Sequence, residues 1–184
     1  IDHVGIRGHI AANRGERFGE RADDDVHVVR NAKMIRRAIA LAAEHARTGA
    51  GGPFGAVVVR HGAVVGRGWN RVVPDHDPTA HAEVMAIRAA AQTLGTHRLD
   101  DCEIYASCEP CPMCLAAIYW ARIPRLYYAG TAADAAAAGF DDRVIARELT
   151  LPPDQRGLTI EQGCREDCRE VFRDWLQNPD HRPY

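Results

Sequence analysis

The sequence predicts an α/β fold, a three-layer sandwich with a mixed five-stranded sheet and helices on both faces. Helical and strand-like segments alternate from about residue 31 to residue 161. Two of the strands are joined by a short turn, as in a hairpin, and another follows a helix, as in a βαβ unit. With 184 residues, 46% of them hydrophobic, the chain is long enough to bury one good core.

The first elements are a helix and a hairpin. Apolar residues at helical spacing predict a helix from Asn31 to Arg47, closed by Gly49. Two strands are then expected at 55–60 and 63–69, joined at His61-Gly62.

The next predicted elements are a helix that leads away from His81 and a strand that returns towards it. Asp77 and Pro78 are typical of an N-cap and a first helical residue, and Gly95 is expected to end that helix. Apolar and polar residues alternate over 103–107, which predicts a strand. Because a strand of this length can retrace the helix, the chain should return close to His81.

The remaining elements follow in the same alternation. Pro112 in a first turn and Pro124 beyond the end predict another helix. The sequence then predicts a strand over 125–129, a helix near 134–138 and a strand near 158–161. Residues 1–29 show no clear period, so we expect an N-terminal extension or added arm there and one domain over 30–184.

Composition excludes several kinds of partner. The net charge is −2, and acidic residues interleave with the basic ones, so we expect no nucleic-acid-binding surface. No apolar run approaches the length of a membrane span, and no signal-peptide pattern opens the sequence. These observations favour a cytoplasmic protein with reduced thiols.

Two short motifs thirty positions apart carry the predicted chemistry, His81-Ala82-Glu83 and Pro110-Cys111-Pro112-Met113-Cys114. A neutral imidazole and two thiolates can hold Zn²⁺ and leave one coordination position open for an activated water. Together the motifs form the H-x-E and P-C-x-x-C signature of zinc deaminases, in which the glutamate is a general acid/base.

Each motif has an ordinary alternative. A Cys-x-x-Cys pair could equally be a redox dithiol or half of a structural zinc site, and His-x-Glu is usually a solvated helix face. A structural or redox binding module would leave Glu83 without a purpose. The combination is more specific because both motifs are predicted at helix N-termini, where the dipole favours thiolates. The other cysteines are expected to be structural or incidental: Cys102, Cys108, Cys164 and Cys168.

From about Ile35 to Tyr184 the chain resembles bacterial guanine deaminases of the cytidine-deaminase-like superfamily. The resemblance rests on the segments 53–56, 77–83, 107–114, 118–122 and 138–142 and on the final tyrosine. It implies the cytidine-deaminase-like fold, a Zn²⁺ cofactor and the reaction of the free base guanine with water to give xanthine and ammonia.

The resemblance also implies roles for individual residues. His81, Cys111 and Cys114 would hold zinc, while Glu83 and Asp142 would transfer protons. The substrate would contact five further residues: Asn70 at the purine edge, Phe54 against the ring, Trp120 at the limit of the pocket, Ala82, and Tyr184. In the family the C-terminal segment is exchanged between subunits, so we expect a domain-swapped homodimer.

Blander alternatives accompany these roles. Asn70 could bond only the adjoining loop, the two aromatic residues could be core, and Asp142 could cap a helix. Tyr184, at the chain end, could simply be mobile.

The main rival is the tRNA adenosine deaminase branch, which resembles residues 68–71 and 76–83 equally well. Against it stand the slightly negative charge, the lack of a basic C-terminal helix and the segment 139–142. A deaminase of another small aminated ring, such as ammeline or cytosine, is a further alternative.

Overall fold

The computed structural model describes the backbone of residues 20–183 and the side chains of residues 28–183. The chain divides into two compact units, which meet in sequence between Gly139 and Phe140. The first unit contains α1 (Glu20–Thr48), β1 (Gly52–Arg60), β2 (Ala63–Asn70), α2 (Val72–Asp75), α3 (Ala82–Leu94), β3 (Cys102–Cys108), α4 (Pro112–Trp120), β4 (Arg125–Gly130) and α5 (Ala132–Ala137). The second contains α6 (Arg143–Thr150), a 3-10 turn (Pro153–Gln155) and α7 (Arg165–Gln177).

The sheet is mixed, as predicted, but within the described residues it has four strands, in the order β2-β1-β3-β4. Strand β1 is antiparallel to both β2 and β3, whereas β3 and β4 are parallel. The predicted strand at 158–161 is wrong. Leu158 and Ile160 are exposed, and the described part of the second unit offers no strand for this segment to pair with.

Helices cover both faces of the sheet. Alternate residues of β1 point to opposite sides, so Ala56 and Val58 join a core cluster with α3 and α4. Val57 and Val59 pack instead with Met34 of α1. The three-layer arrangement therefore follows from the side-chain alternation of one central strand.

Two helices begin at other positions than predicted. Helix α1 starts at Glu20, earlier than Asn31, while residues 1–19 lie outside the described residues and the domain boundary at 29/30 stays a prediction. Helix α3 starts at Ala82 and not at Pro78. The reason is that Asp77 accepts hydrogen bonds from both the backbone N–H and the hydroxyl of Thr79, which forms a turn before the helix. Gly95 caps α3 as expected, with φ of 64°.

The strands and helices give the first unit two distinct ends. Strands β2, β3 and β4 all finish at one end, which we call the site end, and α3 and α4 both start there. The opposite end holds the connecting turns, and two contacts tie them together. Arg60 Nε donates to Asp101 Oδ2 at 2.7 Å, and Leu99 N–H donates to the Ala121 carbonyl at 2.9 Å.

Helix α1 is long, at 29 residues, but it is rich in charged side chains. None of the described helices has a stretch apolar and long enough to cross a membrane.

Candidate metal centre

The first turns of α3 and α4 bring the two sequence motifs together at the site end. His81 is the N-cap residue of α3, and Cys111 is the N-cap residue of α4. Cys114 lies three positions later, on the same face of α4 as Cys111, and is fully buried. Pro112 starts α4 as predicted, which fixes the backbone between the two thiols.

The three side chains form a compact triangle. His81 Nδ1 lies 3.5 Å from the Sγ atom of Cys111 and 3.5 Å from that of Cys114. All three potential ligand atoms lie within 4.8 Å of one another. Tetrahedral zinc with ordinary Zn–N and Zn–S bonds separates a nitrogen from a sulfur by about 3.6 Å. The observed distances therefore fit a zinc ion with three protein ligands.

The two thiols shift each other's pKa in opposite directions. A hydrogen bond from Cys114 lowers the pKa of Cys111, and the His81 ring adds to this effect. The same bond, together with burial, raises the pKa of Cys114. A bound cation would favour the thiolate form of both cysteines, because thiolates are the metal-binding form.

Glu83 is buried beside this triangle, with 7% of its surface exposed. Burial raises its pKa above the ordinary value, and contacts with its own backbone N–H and with Cys114 only partly offset this. Among the ion pairs of the described side chains, none includes Glu83. A desolvated carboxyl group with a raised pKa, free of fixed cations, is suited to accepting and releasing a proton.

Asn70, the last residue of β2, is tied to the loop that carries His81. Its Oδ1 atom accepts a hydrogen bond from Val72 N–H at 3.3 Å, which is the loop contact expected as its ordinary role. The next residue, Arg71, donates its N–H to the Ala80 carbonyl at 2.8 Å. Asn70 therefore belongs to the backbone framework directly beside the metal centre.

The other predicted contact residues in the first unit occupy different settings. Ala82 is fully buried at the start of α3, and Phe54 is partly buried and packs on the core cluster of α3 and α4. Trp120 is 64% exposed and ends α4, about 12 Å along the helix axis from Pro112. The structure thus brings Ala82 to the ligands and puts Trp120 at the other end of their helix.

Asp142 lies in the second unit, immediately before α6. It occupies the N-cap position without a capping hydrogen bond from its side chain. Asp141 makes the local contacts instead, since its carboxylate accepts from the backbone N–H and the guanidinium of Arg143. Tyr184 lies outside the described residues.

Comparison with known proteins agrees with this geometry. Residues 29–130 match the family described as the cytidine and deoxycytidylate deaminase zinc-binding region. The chain is 47% identical to guanine deaminase of Bacillus subtilis over 151 residues, which is 82% of this chain and 97% of that protein. A crystal structure of Bacillus subtilis guanine deaminase superposes with a TM-score of 0.81 at 46% identity, covering 83% of this chain and 98% of the other.

A second group of relatives matches over a shorter stretch. A tRNA-specific adenosine deaminase of Agrobacterium fabrum is 51% identical over 76 residues, or 41% of this chain and 50% of that protein. The similarity to the Bacillus subtilis protein thus extends over about twice as much of the chain as this match to the Agrobacterium fabrum protein.

Proposed function

Because the chain belongs to the zinc-dependent cytidine and deoxycytidylate deaminase family, we propose that it hydrolyses guanine to xanthine and ammonia, with Zn²⁺ as its cofactor. The observation that carries the proposal is the triangle of His81, Cys111 and Cys114 beside the buried Glu83. Near-complete coverage of the Bacillus subtilis guanine deaminase supports the choice of substrate.

The three triangle residues hold the metal in this proposal. A zinc ion held there would supply a nucleophilic water at neutral pH, because it lowers the pKa of the water it binds to ~7. His81 and Cys111 are N-cap residues, so the positive ends of both helix dipoles lie at the site and favour the thiolate form of the cysteines.

Glu83 moves the protons. It accepts one from the attacking water and passes it to the ring nitrogen beside C2 of guanine, so that oxygen adds to C2. The C2–N bond then breaks after the exocyclic nitrogen is protonated, a step that Glu83 shares with Asp142. Its buried position supports this role, because a raised pKa brings a carboxyl group closer to the working pH.

The remaining proposed roles concern binding. Asn70 hydrogen-bonds the purine edge, Phe54 lies against the ring and Ala82 contacts the substrate. The link from Arg71 to Ala80 supports the role of Asn70, because it holds the end of β2 beside His81.

The competing function is deamination of adenosine in tRNA, favoured by the shorter match to the Agrobacterium fabrum protein. The experiment that separates the two measures ammonia release by zinc-loaded protein from free bases, nucleosides, triazines such as ammeline, and tRNA. We expect release from guanine. Release from tRNA or from another ring, with none from guanine, would overturn the proposed substrate.

We also propose that the protein is a homodimer whose C-terminal segments are exchanged, with Tyr184 completing the partner's site. Apolar side chains on α6 and α7 support this, because such surfaces usually mark contacts between proteins. The exposed apolar residues of these helices are Val144, Ile145, Leu149, Val171, Phe172, Trp175 and Leu176. We place the protein in the cytoplasm, where its six free cysteines stay reduced.

Mixing two inactive variants tests the exchange. Glu83→Gln and a chain lacking Tyr184 are refolded together so that heterodimers form. An exchanged arrangement gives some dimers one site with both Glu83 and Tyr184, so activity should reappear. A monomeric protein, or inactive heterodimers, would contradict the exchange while leaving guanine deamination itself untouched.

A further inference from the structure

Asn70 is packed against two glycines, Gly51 just before β1 and Gly52 at its first position. Gly52 is its partner in the β1–β2 register. A methyl group at Gly52 would lie 3.1 Å from Asn70 Oδ1 and 3.2 Å from its Cγ. A methyl group at Gly51 would overlap the Asn70 carbonyl oxygen and lie 3.0 Å from Trp69 Cδ1. The position of Asn70 therefore depends on the absence of side chains at residues 51 and 52.

The side chain of Asn70 lies on the sheet face that carries the metal centre. Gly68, two residues earlier on β2, lies on the same face because side chains alternate along a strand. A methyl group at Gly68 would overlap the backbone of Ala82 and Ala86, at the start of α3. The amide of Asn70 is thus on the same side as the ligand-bearing helix.

The hydrogen bond from Val72 fixes the orientation of the amide, because a backbone N–H can donate only to the amide oxygen. The NH₂ group then points the other way. Among the described residues no hydrogen bond engages this NH₂ group, so both of its hydrogens are available to another molecule. The NH₂ group can only donate, so its partner must be a hydrogen-bond acceptor.

We infer that Gly51 and Gly52, with the N–H of Val72, are positioning elements that aim the Asn70 NH₂ group at an acceptor on the edge of the substrate ring. This inference rests on the proposed function, since it assigns the orientation of a proposed substrate contact. The inference also gives a basis for specificity. A ring with a hydrogen-bond donor at that edge would meet the Asn70 NH₂ group, which is also a donor, and would therefore be rejected.

The first experiment uses Gly52→Ala, in which the new methyl group displaces the amide by a few tenths of an ångström without touching backbone. We expect kcat/KM for guanine to fall about 5- to 10-fold, mainly through KM, as for one misplaced hydrogen bond. Binding of hypoxanthine, which lacks the 2-amino group and cannot react, should weaken by a similar factor in an equilibrium titration. Zinc content should not change.

A matched control is Gly130→Ala at the end of β4. Its methyl group would lie 3.5 Å from the nearest atom, the Ser107 carbonyl oxygen, which is an ordinary contact. We expect wild-type kinetics and hypoxanthine affinity. An equal loss in Gly52→Ala and Gly130→Ala would mean that any added methyl group in the sheet has this effect, and would overturn the inference.

A double-mutant cycle tests whether Gly52 acts through Asn70. In an Asn70→Ala background, Gly52→Ala should cause almost no further loss, because no amide remains to be displaced. The same loss in both backgrounds would show a merely structural role and overturn the inference.

A third variant, Asn70→Asp, tests the orientation without altering either glycine. The carboxylate can still accept from Val72 N–H but has no NH₂ group, so its activity should be no higher than that of Asn70→Ala. Activity well above Asn70→Ala would overturn the assignment, even if Gly52→Ala failed to fold. Wild-type protein that releases no ammonia from any base would overturn the proposed function and this inference together. Active wild type with unchanged Gly52→Ala would overturn the inference alone.

Discussion

Two glutamates on opposite faces of the sheet, Glu83 and Glu103, are equally buried, each with 7% of its surface exposed. Glu83 lies on the face covered by α3 and α4, at the metal centre. Glu103 lies on the face covered by α1, since its neighbour Tyr105 packs there with Met34. The two carboxylates share a residue type and a degree of burial, but their surroundings are opposite.

Glu103 is surrounded by fixed donors. Arg30 Nη2 donates to both of its oxygens, at 3.0 and 3.1 Å, Arg125 Nε donates at 3.0 Å and the Tyr105 hydroxyl at 2.7 Å. Burial alone would raise the pKa of Glu103, but the hydrogen bond from Tyr105 and the two guanidinium groups outweigh it and hold the pKa below its ordinary value. This carboxylate stays ionised and joins α1, β3 and β4.

The difference shows how burial can serve either chemistry or structure. A carboxyl group that must change its protonation state cannot be held by fixed cations, because they would stabilise only the ionised form. Glu83 has no such partner among the described side chains, and its pKa is raised. Burial therefore indicates function only when it is considered together with the partners of the buried group.

Removing the metal should have the largest effect on activity. It should affect the face of the sheet that carries Glu83 and not the face that carries Glu103. Cys111→Ala or Cys114→Ala should lose zinc and guanine turnover together, because three ligands are needed to hold the ion. Zinc analysis and ammonia release measure both, and a chelator should inactivate the wild type. Cys168→Ala, an exposed thiol on α7, is the control and should keep about one zinc per chain. Full turnover by metal-free protein would contradict the deaminase mechanism.

Glu83→Gln should have the next largest effect. It should retain zinc but lose at least ~10²–10⁴ in kcat, the usual contribution of a positioned general acid/base. Glu103→Gln is its matched control, with the same substitution at the same burial, and should keep its turnover once folded. Loss of zinc in Glu83→Gln would instead make Glu83 a ligand or a support for one.

Glu103→Gln, which should leave turnover unchanged, should reduce the stability of the fold. We expect the free energy of unfolding to fall by about 3 kcal/mol, because two guanidinium groups lose their buried carboxylate. The lowered pKa means that ionised Glu103 stabilises the fold above its ordinary pKa of 4.5, and that this is lost as pH falls through the lowered value. Denaturant titrations of wild type and variant should therefore converge in acid. A constant difference across pH would show that charge is not the cause.

Tyr105→Phe should have the smallest effect. It removes one hydroxyl donor from Glu103 and leaves both arginines in place. We expect a loss of about 1.5 kcal/mol in stability, typical of a hydrogen bond to a charged group, with turnover unchanged. Tyr127→Phe, at the ring stacked on Tyr105, is the control and should be nearly neutral. A loss as large as that of Glu103→Gln would mean that the hydroxyl, and not the arginines, holds the carboxylate.

The sequence was sufficient for the elements that local signals define. Pro112 and Gly95 mark helix ends that the structure confirms, and the alternation after Glu103 predicts β3 correctly. The triangle of ligands followed from these elements, because a helix and a returning strand bring separated motifs together. The predicted start of α3 was wrong because Asp77 and Thr79 hydrogen-bond to each other in a turn before the helix.

Features that depend on contacts between residues far apart in the sequence could not be predicted from local signals. Glu103 has its two arginine partners 73 and 22 residues away, and nothing in its own segment indicates them. Gly52 pairs with Asn70 because of two irregularities in the β1–β2 register. Counting from the turn at His61-Gly62 alone would have paired Gly52 with Arg71. The second-unit helices α6 and α7 were not predicted, and a strand was expected between them at 158–161, where Leu158 and Ile160 are exposed instead.

The turns opposite the site end make the first unit convenient to engineer. His61 and Gly62 form an exposed hairpin turn, and the side chain of His61 is 76% exposed. This turn is separated from the ligands by the full length of β1 and β2, so a fluorophore or an affinity tag inserted there should leave the chemistry undisturbed. The same position is a natural one for opening new chain termini in a circular permutant.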